Sequence, residues 1–198
     1  MNEIALFFSN LNFNWTIIET IAVLFSIIYV ILATKQNIWC WAAAGISVIL
    51  YTYICFTAQL YPETGLQIFY FIMAIYGYYN WKKNTGNLQI KQWTASKHLL
   101  LILIGTVFSF IMGFYFATYT NSEMPIIDSF TTVFSIIATY MVTKKILENW
   151  LYWIVIDTVS VYLYFSRDLH LTSLLFIAYT IIAIAGYFAW LNSRTTNA

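Results

Sequence analysis

Seven long apolar runs follow one another through this chain, separated only by short polar clusters. They cover about 16–34, 38–56, 65–81, 98–118, 127–143, 148–166 and 171–191. A helix needs about 20 residues to cross the hydrocarbon core of a bilayer, so each run has close to the length of one span. The longest polar stretch, 82–97, holds Lys82, Lys83, Asn84, Gly86, Asn87, Lys91 and Lys97. Asn121, Ser122, Glu123 and Pro125 precede the fifth run, and Arg167 with Asp168 ends the sixth. The runs do not alternate apolar with polar residues as barrel strands do, which favours helices. Of the 198 residues, 61% are hydrophobic and only 9% are charged, against about 25% charged in a soluble domain. So few charges cannot cover a water-soluble surface, and so apolar a chain is not disordered. The expected fold is an all-α integral membrane protein of seven transmembrane helices, with residues 1–198 forming a single domain whose solvent is the lipid bilayer.

A net charge of +1 without a basic stripe excludes a nucleic-acid partner. Cys40 and Cys55 fall in one predicted helix, about 22 Å apart at about 1.5 Å per residue, too far to pair. Glu3 and the lack of any base before Lys35 do not make the positive start of a secretory signal. The first apolar run is therefore expected to stay in the mature protein.

Basic residues set the orientation, because they concentrate on the cytoplasmic side. With the N-terminus outside, Lys35, Lys82, Lys83, Lys91, Lys97, Lys144, Lys145 and Arg194 all fall inside, and Arg167 alone falls outside. Glu3, Glu63, Glu123, Asp128 and Asp168 fall outside as well. The expected topology is N-out, C-in.

The chain also repeats itself. At an offset of 109 residues, Phe25-Ser26-Ile27-Ile28 meets Phe134-Ser135-Ile136-Ile137, Thr34-Lys35 meets Thr143-Lys144, and Trp41 meets Trp150. Tyr70 meets Tyr179, Gly77-Tyr78 meets Gly186-Tyr187, and Trp81 meets Trp190. Between 25 and 81, 19 of 57 positions are identical. Residues 16–81 thus form a first three-helix repeat, 98–118 a connector helix, and 127–191 a second repeat. Four spans separate the two starts, so both repeats cross in the same direction. This 3+1+3 order implies a pseudo-two-fold axis along the membrane normal, as in the SWEET transporters.

Polar residues present in one repeat only, deep in the bilayer, are the better functional candidates. Aromatic belts at the headgroups account for Trp39, Trp41, Trp81 and Trp190 near the lysine-rich helix ends, and for Trp15 near the opposite end. The sixth run differs. Trp150, Trp153 and Asp157 stand at i, i+3 and i+7 on one helix face, which Ser160 and Tyr164 continue. Asp157 lies about 13 Å into the helix, near the midplane. In the first repeat Ala44 replaces Trp153 and Val48 replaces Asp157. A carboxylate there costs roughly 2.5–3.5 kcal/mol on insertion scales and needs a polar cavity and a partner. No lysine or arginine lies within a run to serve. Indole faces attract cations, so the face suits a flat aromatic cation; a protonated Asp157 bonded to a neighbouring helix is the structural alternative. Gln67 is a second asymmetry, opposite Phe176, and is either a helix–helix bond or a contact for the solute's polar end. Tyr70, one turn deeper, and its counterpart Tyr179 complete the candidate site. Asn80, Tyr53 and Tyr162 read as packing, and Glu19 as a solvated carboxylate near the outer interface.

Other classes lack their parts. His98 and His170 lie near run ends, and no HExxH, Gly-x-Ser-x-Gly or cysteine cluster is present, so an intramembrane enzyme has no metal and no nucleophile. A retinal protein needs a lysine within a helix, and a primary pump needs a nucleotide loop. A passive channel or scaffold would leave the one-sided aromatic–acidic face without a purpose.

Trp41-Ala42-Ala43-Ala44-Gly45, Gly65-Leu66-Gln67-Ile68-Phe69-Tyr70, Tyr76-Gly77-Tyr78-Tyr79-Asn80-Trp81 and Asn149-Trp150-Leu151-Tyr152-Trp153, in that order and with the 3+1+3 repeat, resemble the PnuC family of bacterial vitamin transporters. The resemblance runs from about Trp15 to Trp190. It implies a seven-helix transporter of the inner membrane, without cofactor or metal. It implies uptake of a vitamin by facilitated diffusion, with a cytosolic kinase trapping the product by phosphorylation. Nicotinamide riboside is the usual solute of the family, and some members carry thiamine or riboflavin. The family's sixth-helix pattern is Trp-x-x-Trp-x-x-x-Asn; Trp150 and Trp153 match it, and Asp157 stands in place of the Asn. Gln67 matches a substrate contact of the family. The cationic rings of nicotinamide riboside and thiamine both suit Asp157, and uncharged riboflavin suits it less. An ion-coupled carrier of another small aromatic cation stays open, as does a homo-oligomer, since lipid-facing and subunit-facing surfaces look alike.

Overall fold

In lipid every backbone polar group must be satisfied within the protein, and a helix does this within one segment. The computed structural model describes residues 16–83, 89–120 and 123–196 and holds seven helices among them. These are α1 (Ile17–Thr34), α2 (Cys40–Thr57), α3 (Tyr61–Lys83), α4 (Ala95–Tyr119), α5 (Pro125–Thr143), α6 (Asn149–Phe165) and α7 (His170–Thr196). Each covers one of the seven predicted runs. Glu3, Trp15, Asn84, Gly86, Asn87, Asn121 and Ser122 lie outside the described residues. Five of the helices, α1, α2, α4, α5 and α7, are long and apolar enough to cross a membrane by length and composition alone. The other two have local reasons to fall short: α6 has 17 residues and carries Asp157, and α3 is interrupted by Gln67 and Asn80 and ends on Lys82 and Lys83.

The helix ends follow ordinary capping chemistry. Thr16 and Glu19 form a reciprocal capping box at the start of α1: the Glu19 amide donates to Thr16 Oγ1 (3.2 Å) and the Thr16 amide donates to Glu19 Oε2 (2.6 Å). Glu19 is therefore a cap rather than a merely solvated carboxylate. The turns after α1, α2, α5 and α6 each place one non-glycine residue in the left-handed region: Gln36, Gln59, Lys145 and Asp168 (φ 54, 59, 52 and 57°). In each, that residue and the next donate back to carbonyls of the last helical turn, as with Gln36 to Ala33, Asn37 to Leu32, Lys145 to Val142 and Ile146 to Met141. This is the Schellman closure.

Helices α1, α2 and α3 pack in chain order, and so do α5, α6 and α7. The two groups meet along α1–α7 and along α3–α5, and α4 packs on α5. Gly105, Ser109 and Gly113, four residues apart, are the buried residues of α4. They let its backbone approach α5 closely; a Cβ on Gly113 would lie 2.9 Å from Ile126 Cα. Much of the rest of α4 is exposed apolar surface, including Leu99, Leu103, Ile111 and Phe114, as a lipid-facing helix requires.

The tryptophans need a correction. Trp39 is 65% exposed and fits a headgroup belt, but Trp41, Trp81 and Trp190 are at most 4% exposed. Together with Trp150 they form one buried cluster at the lysine-rich end. Trp41 meets Trp81 edge-on at 5.3 Å and Trp150 meets Trp190 edge-on at 5.4 Å. The packing explains the burial: Gly77 and Gly186 leave room for the rings of Trp41 and Trp150, and a Cβ on Gly186 would lie 2.8 Å from the Trp150 ring. Cys40 and Cys55 are both free thiols of α2.

Candidate functional site

Asp157 sits in the third turn of α6 and is 4% exposed. Its carboxyl meets no hydrogen-bond donor and no basic side chain among the described residues. A buried charge without a partner is costly in any protein and more so in a bilayer. The groups that reach it electrostatically are two tyrosine hydroxyls, Tyr70 from α3 and Tyr179 from α7. Three of the predicted site residues thus share one electrostatic environment, without a hydrogen bond between Asp157 and either tyrosine among the described residues.

Each tyrosine stands at a seam between the two helix groups. Tyr179 Oη hydrogen-bonds Ser26 Oγ across the α7–α1 seam, while Ser26 donates to the Val23 carbonyl (2.7 Å). Tyr70 faces the Ser135 hydroxyl across the α3–α5 seam. Ser26 and Ser135 are mates at the 109-residue offset, and so are Tyr70 and Tyr179. The serines were not among the sequence candidates, because matched positions read there as packing. Their signal was present in the shared Phe-Ser-Ile-Ile.

Trp153 is half-buried and touches both the tryptophan cluster and a second cluster of Phe134, Ala138 and Ile156. It lies one turn from Asp157 on the same helix face. Trp150 is two turns away, and its surroundings are those of Trp41: an edge-on tryptophan, a facing glycine and a buried indole N–H without a partner among the described residues. Gln67 is half-buried and makes no side-chain hydrogen bond among the described residues. At the matching position Phe176 stacks on Tyr164, ring centroids 5.1 Å apart. Tyr164 also couples electrostatically to Tyr70 and to Tyr51 of α2. Tyr164 lies toward the end of the bundle where Arg167 pairs with Asp128 at 2.7 Å. Two surface grooves, of about 470 and 330 Å³, are lined without Asp157, Trp153 or Gln67.

At the lysine-rich end the seams are tied by side chains. Trp81 Nε1 donates to the Val142 carbonyl (3.3 Å) and Trp190 Nε1 to the Ala33 carbonyl (3.0 Å), again mates at the same offset. Lys145 Nζ donates to Gln36 Oε1 (3.2 Å) and lies 4.6 Å from the Trp81 ring centroid. Burial holds its ammonium pKa below the ordinary lysine value. The segment after α3 joins in as well: the Lys91 amide donates to the Lys145 carbonyl (2.9 Å) and the Leu147 amide to the Lys91 carbonyl (2.8 Å).

A chain with this bundle and this buried aromatic–acidic face has relatives. Residues 16–192 match the family described as nicotinamide mononucleotide transporter. The chain belongs to this family. It is 29% identical over 204 residues to the nicotinamide riboside transporter PnuC of Escherichia coli, an alignment covering 89% of this chain and 85% of that one. It is 24% identical over 170 residues to the riboflavin/roseoflavin transporter RibM of Streptomyces davaonensis, covering 82% and 79%. A crystal structure of the vitamin B3 transporter PnuC superposes with a TM-score of 0.73 at 24% identity, over 91% of this chain and 83% of that one. The fold is therefore that of PnuC. This family member is a multi-pass vitamin transporter of the inner membrane, not an enzyme.

Proposed function

We propose that the chain takes up nicotinamide riboside by facilitated diffusion, with phosphorylation inside the cell trapping the product. Trp150, Trp153, Asp157, Gln67, Tyr70 and Tyr179 are the proposed solute contacts. The observation that carries this reading is the buried, unpaired Asp157, one turn from Trp153 and within electrostatic reach of the Tyr70 and Tyr179 hydroxyls. The positive charge it lacks is supplied by the pyridinium ring of the solute. A phosphorylated nucleotide would bring an anion toward this carboxylate and suits the site less.

The proposed architecture is a 3+1+3 parallel repeat with the N-terminus outside and the C-terminus inside. Residues 16–81 and 127–191 are the two repeats and 98–118 lies in the connector. Three observations support it: equivalent seams at α1–α7 and α3–α5, left-handed residues at 36 and 145 and at 59 and 168, and the paired indole bonds of Trp81 and Trp190. The solute would then pass between the halves as they rock about the site.

Thiamine is the second reading, because Asp157 stands where the family pattern has Asn and a thiazolium would meet it equally well. Purified protein should bind one of the two labelled vitamins, and Asp157→Ala and Trp153→Ala should abolish that binding. Unchanged affinity in both variants removes the site. Uptake into proteoliposomes without ATP or an ion gradient tests the mechanism; strict dependence on a gradient would mark an ion-coupled carrier.

A further inference from the structure

Two residues related by a two-fold axis touch each other only beside that axis. Trp81 and Trp190 are mates at the 109-residue offset, and their ring centroids are 6.3 Å apart. Gln36 and Lys145 are mates at the same offset and share a hydrogen bond. Both pairs lie at the lysine-rich end. A path between the halves would leave the bundle there.

We infer that Lys145, bonded to Gln36 and seated on Trp81, is the gate charge that closes the solute path toward the lysine-rich face. The inference rests on the proposed reading that the path runs between the two three-helix halves.

Four features support it. Lys145 and Gln36 occupy left-handed positions, where glycine is the default. Lysine and glutamine there cost backbone strain, and what they supply in return is the pair of side chains that meet across the seam. Second, the Lys145 ammonium is held by one neutral oxygen and one ring face, not by a carboxylate. Such a link holds the charge in place yet opens readily. Third, the indole bonds of Trp81 and Trp190 end on Val142 and Ala33, in the last turns of α5 and α1, whose closing turns carry Lys145 and Gln36. Loosening the tryptophans therefore frees both turns at once. Fourth, the charge order along the path is informative. A cation held at Asp157 meets an ammonium on its way out, so Lys145 must leave the axis for release. While seated it repels small inorganic cations and seals the membrane between cycles.

A native thiol reports on this gate. Cys40 is 0% exposed, packs in the tryptophan cluster and couples electrostatically to Lys145. With Cys55→Ser as background, the rate at which a small membrane-impermeant methanethiosulfonate modifies Cys40 from the lysine-rich side measures opening. Lys145→Ala should raise that rate about tenfold, the expected effect of losing one hydrogen bond and one cation–π contact. It should leave solute affinity within about twofold while speeding exchange across proteoliposomes, since only the opening equilibrium changes. Lys145→Arg, which keeps the charge, should label at nearly the parent rate. Trp190→Phe, which removes an indole donor, should raise labelling as Lys145→Ala does. Lys35→Ala, on the same turn as Gln36, should alter nothing. If Lys145→Ala and Trp190→Phe both leave Cys40 labelling at the parent rate, the gate assignment is wrong. Labelling needs no solute, so it decides the gate even if neither vitamin binds and the substrate reading falls.

Discussion

The first three helices and the last three are built on the same frame and furnished differently. Both close their turns with left-handed residues at matching positions, seat a tryptophan against a glycine, and send one indole N–H across the seam. Among the positions that differ, the furnishing departs most in chemistry at Val48 against Asp157, Ala44 against Trp153, and Gln67 against Phe176. Burial differs too. Half of the spanning window of α5 is buried, against 17% of that of α1, because α4 packs along α5, with His98 of α4 also reaching Tyr152 of α6 (3.0 Å). On the proposed reading, the duplicated frame would give a two-sided machine and the single carboxylate one place to hold a cation. Repeating the carboxylate at Val48 would put a second charge in the bilayer, at a similar desolvation cost.

The largest expected effect tests that asymmetry directly. Asp157→Ala should weaken vitamin binding by a factor of about 100 or more, as for loss of one partner in a desolvated charge pair. Val48→Ala, at the matching position, should stay within about threefold, since it removes only apolar contact. Calorimetric titration in detergent compares them. Equal losses would mean that the site is shared by both halves.

The frame itself is tested next. Gly186→Ala would drive a methyl into the Trp150 ring, and Gly77→Ala would do the same to Trp41. Both rings are buried and cannot move aside, so each variant should lose about 1–3 kcal/mol of stability by overpacking. Thermal unfolding in detergent reads this out. A large loss in one variant alone would break the equivalence of the two halves.

A smaller effect is expected at the seams. Ser26→Ala removes the acceptor of the Tyr179 hydroxyl, and Ser135→Ala removes the group that faces Tyr70. Each should cost about 1 kcal/mol, the net worth of a typical hydrogen bond. Measuring both by the same melt sharpens the comparison, because Ser135 is buried and Ser26 only half so. The second should lose slightly more.

Much of this was legible in the chain. The spans and the 109-residue offset follow from apolar length and from matched Gly, Lys and Trp, which are read without knowing any contact; the left-handed closing turns do not, since none of their residues is a glycine. Asp157 stood out because charge is so scarce in the spans. The tryptophan cluster was not legible, since a buried indole and a headgroup-belt indole occupy the same helix ends. What separates them is Gly77 and Gly186, one helix away from the rings they accept. The Tyr–Ser seams and the Gln36–Lys145 link were hidden for a related reason. They join residues 153, 65 and 109 positions apart, and nothing in periodicity tells which helices become neighbours.

The smallest effect has the opposite sign and separates frame from furnishing. Gln59 and Asp168 hold left-handed backbone at the end of the bundle away from the tryptophans. A non-glycine residue there costs about 1 kcal/mol. Glycine relieves that strain but adds unfolded-chain entropy of about 0.4–1 kcal/mol. Gln59→Gly and Asp168→Gly should therefore gain at most roughly 0.5 kcal/mol, a rise of about a degree or two in unfolding temperature for a chain of this size. Transport should not change, since neither side chain reaches the other half. Glycine at Gln36 or Lys145 should relax the turn equally, because the backbone is the same. There, however, the side chain that made the strain worthwhile is gone, and Cys40 should become open to modification. A stabilised turn with an open gate is the signature that separates a residue kept for its side chain from one kept for its turn.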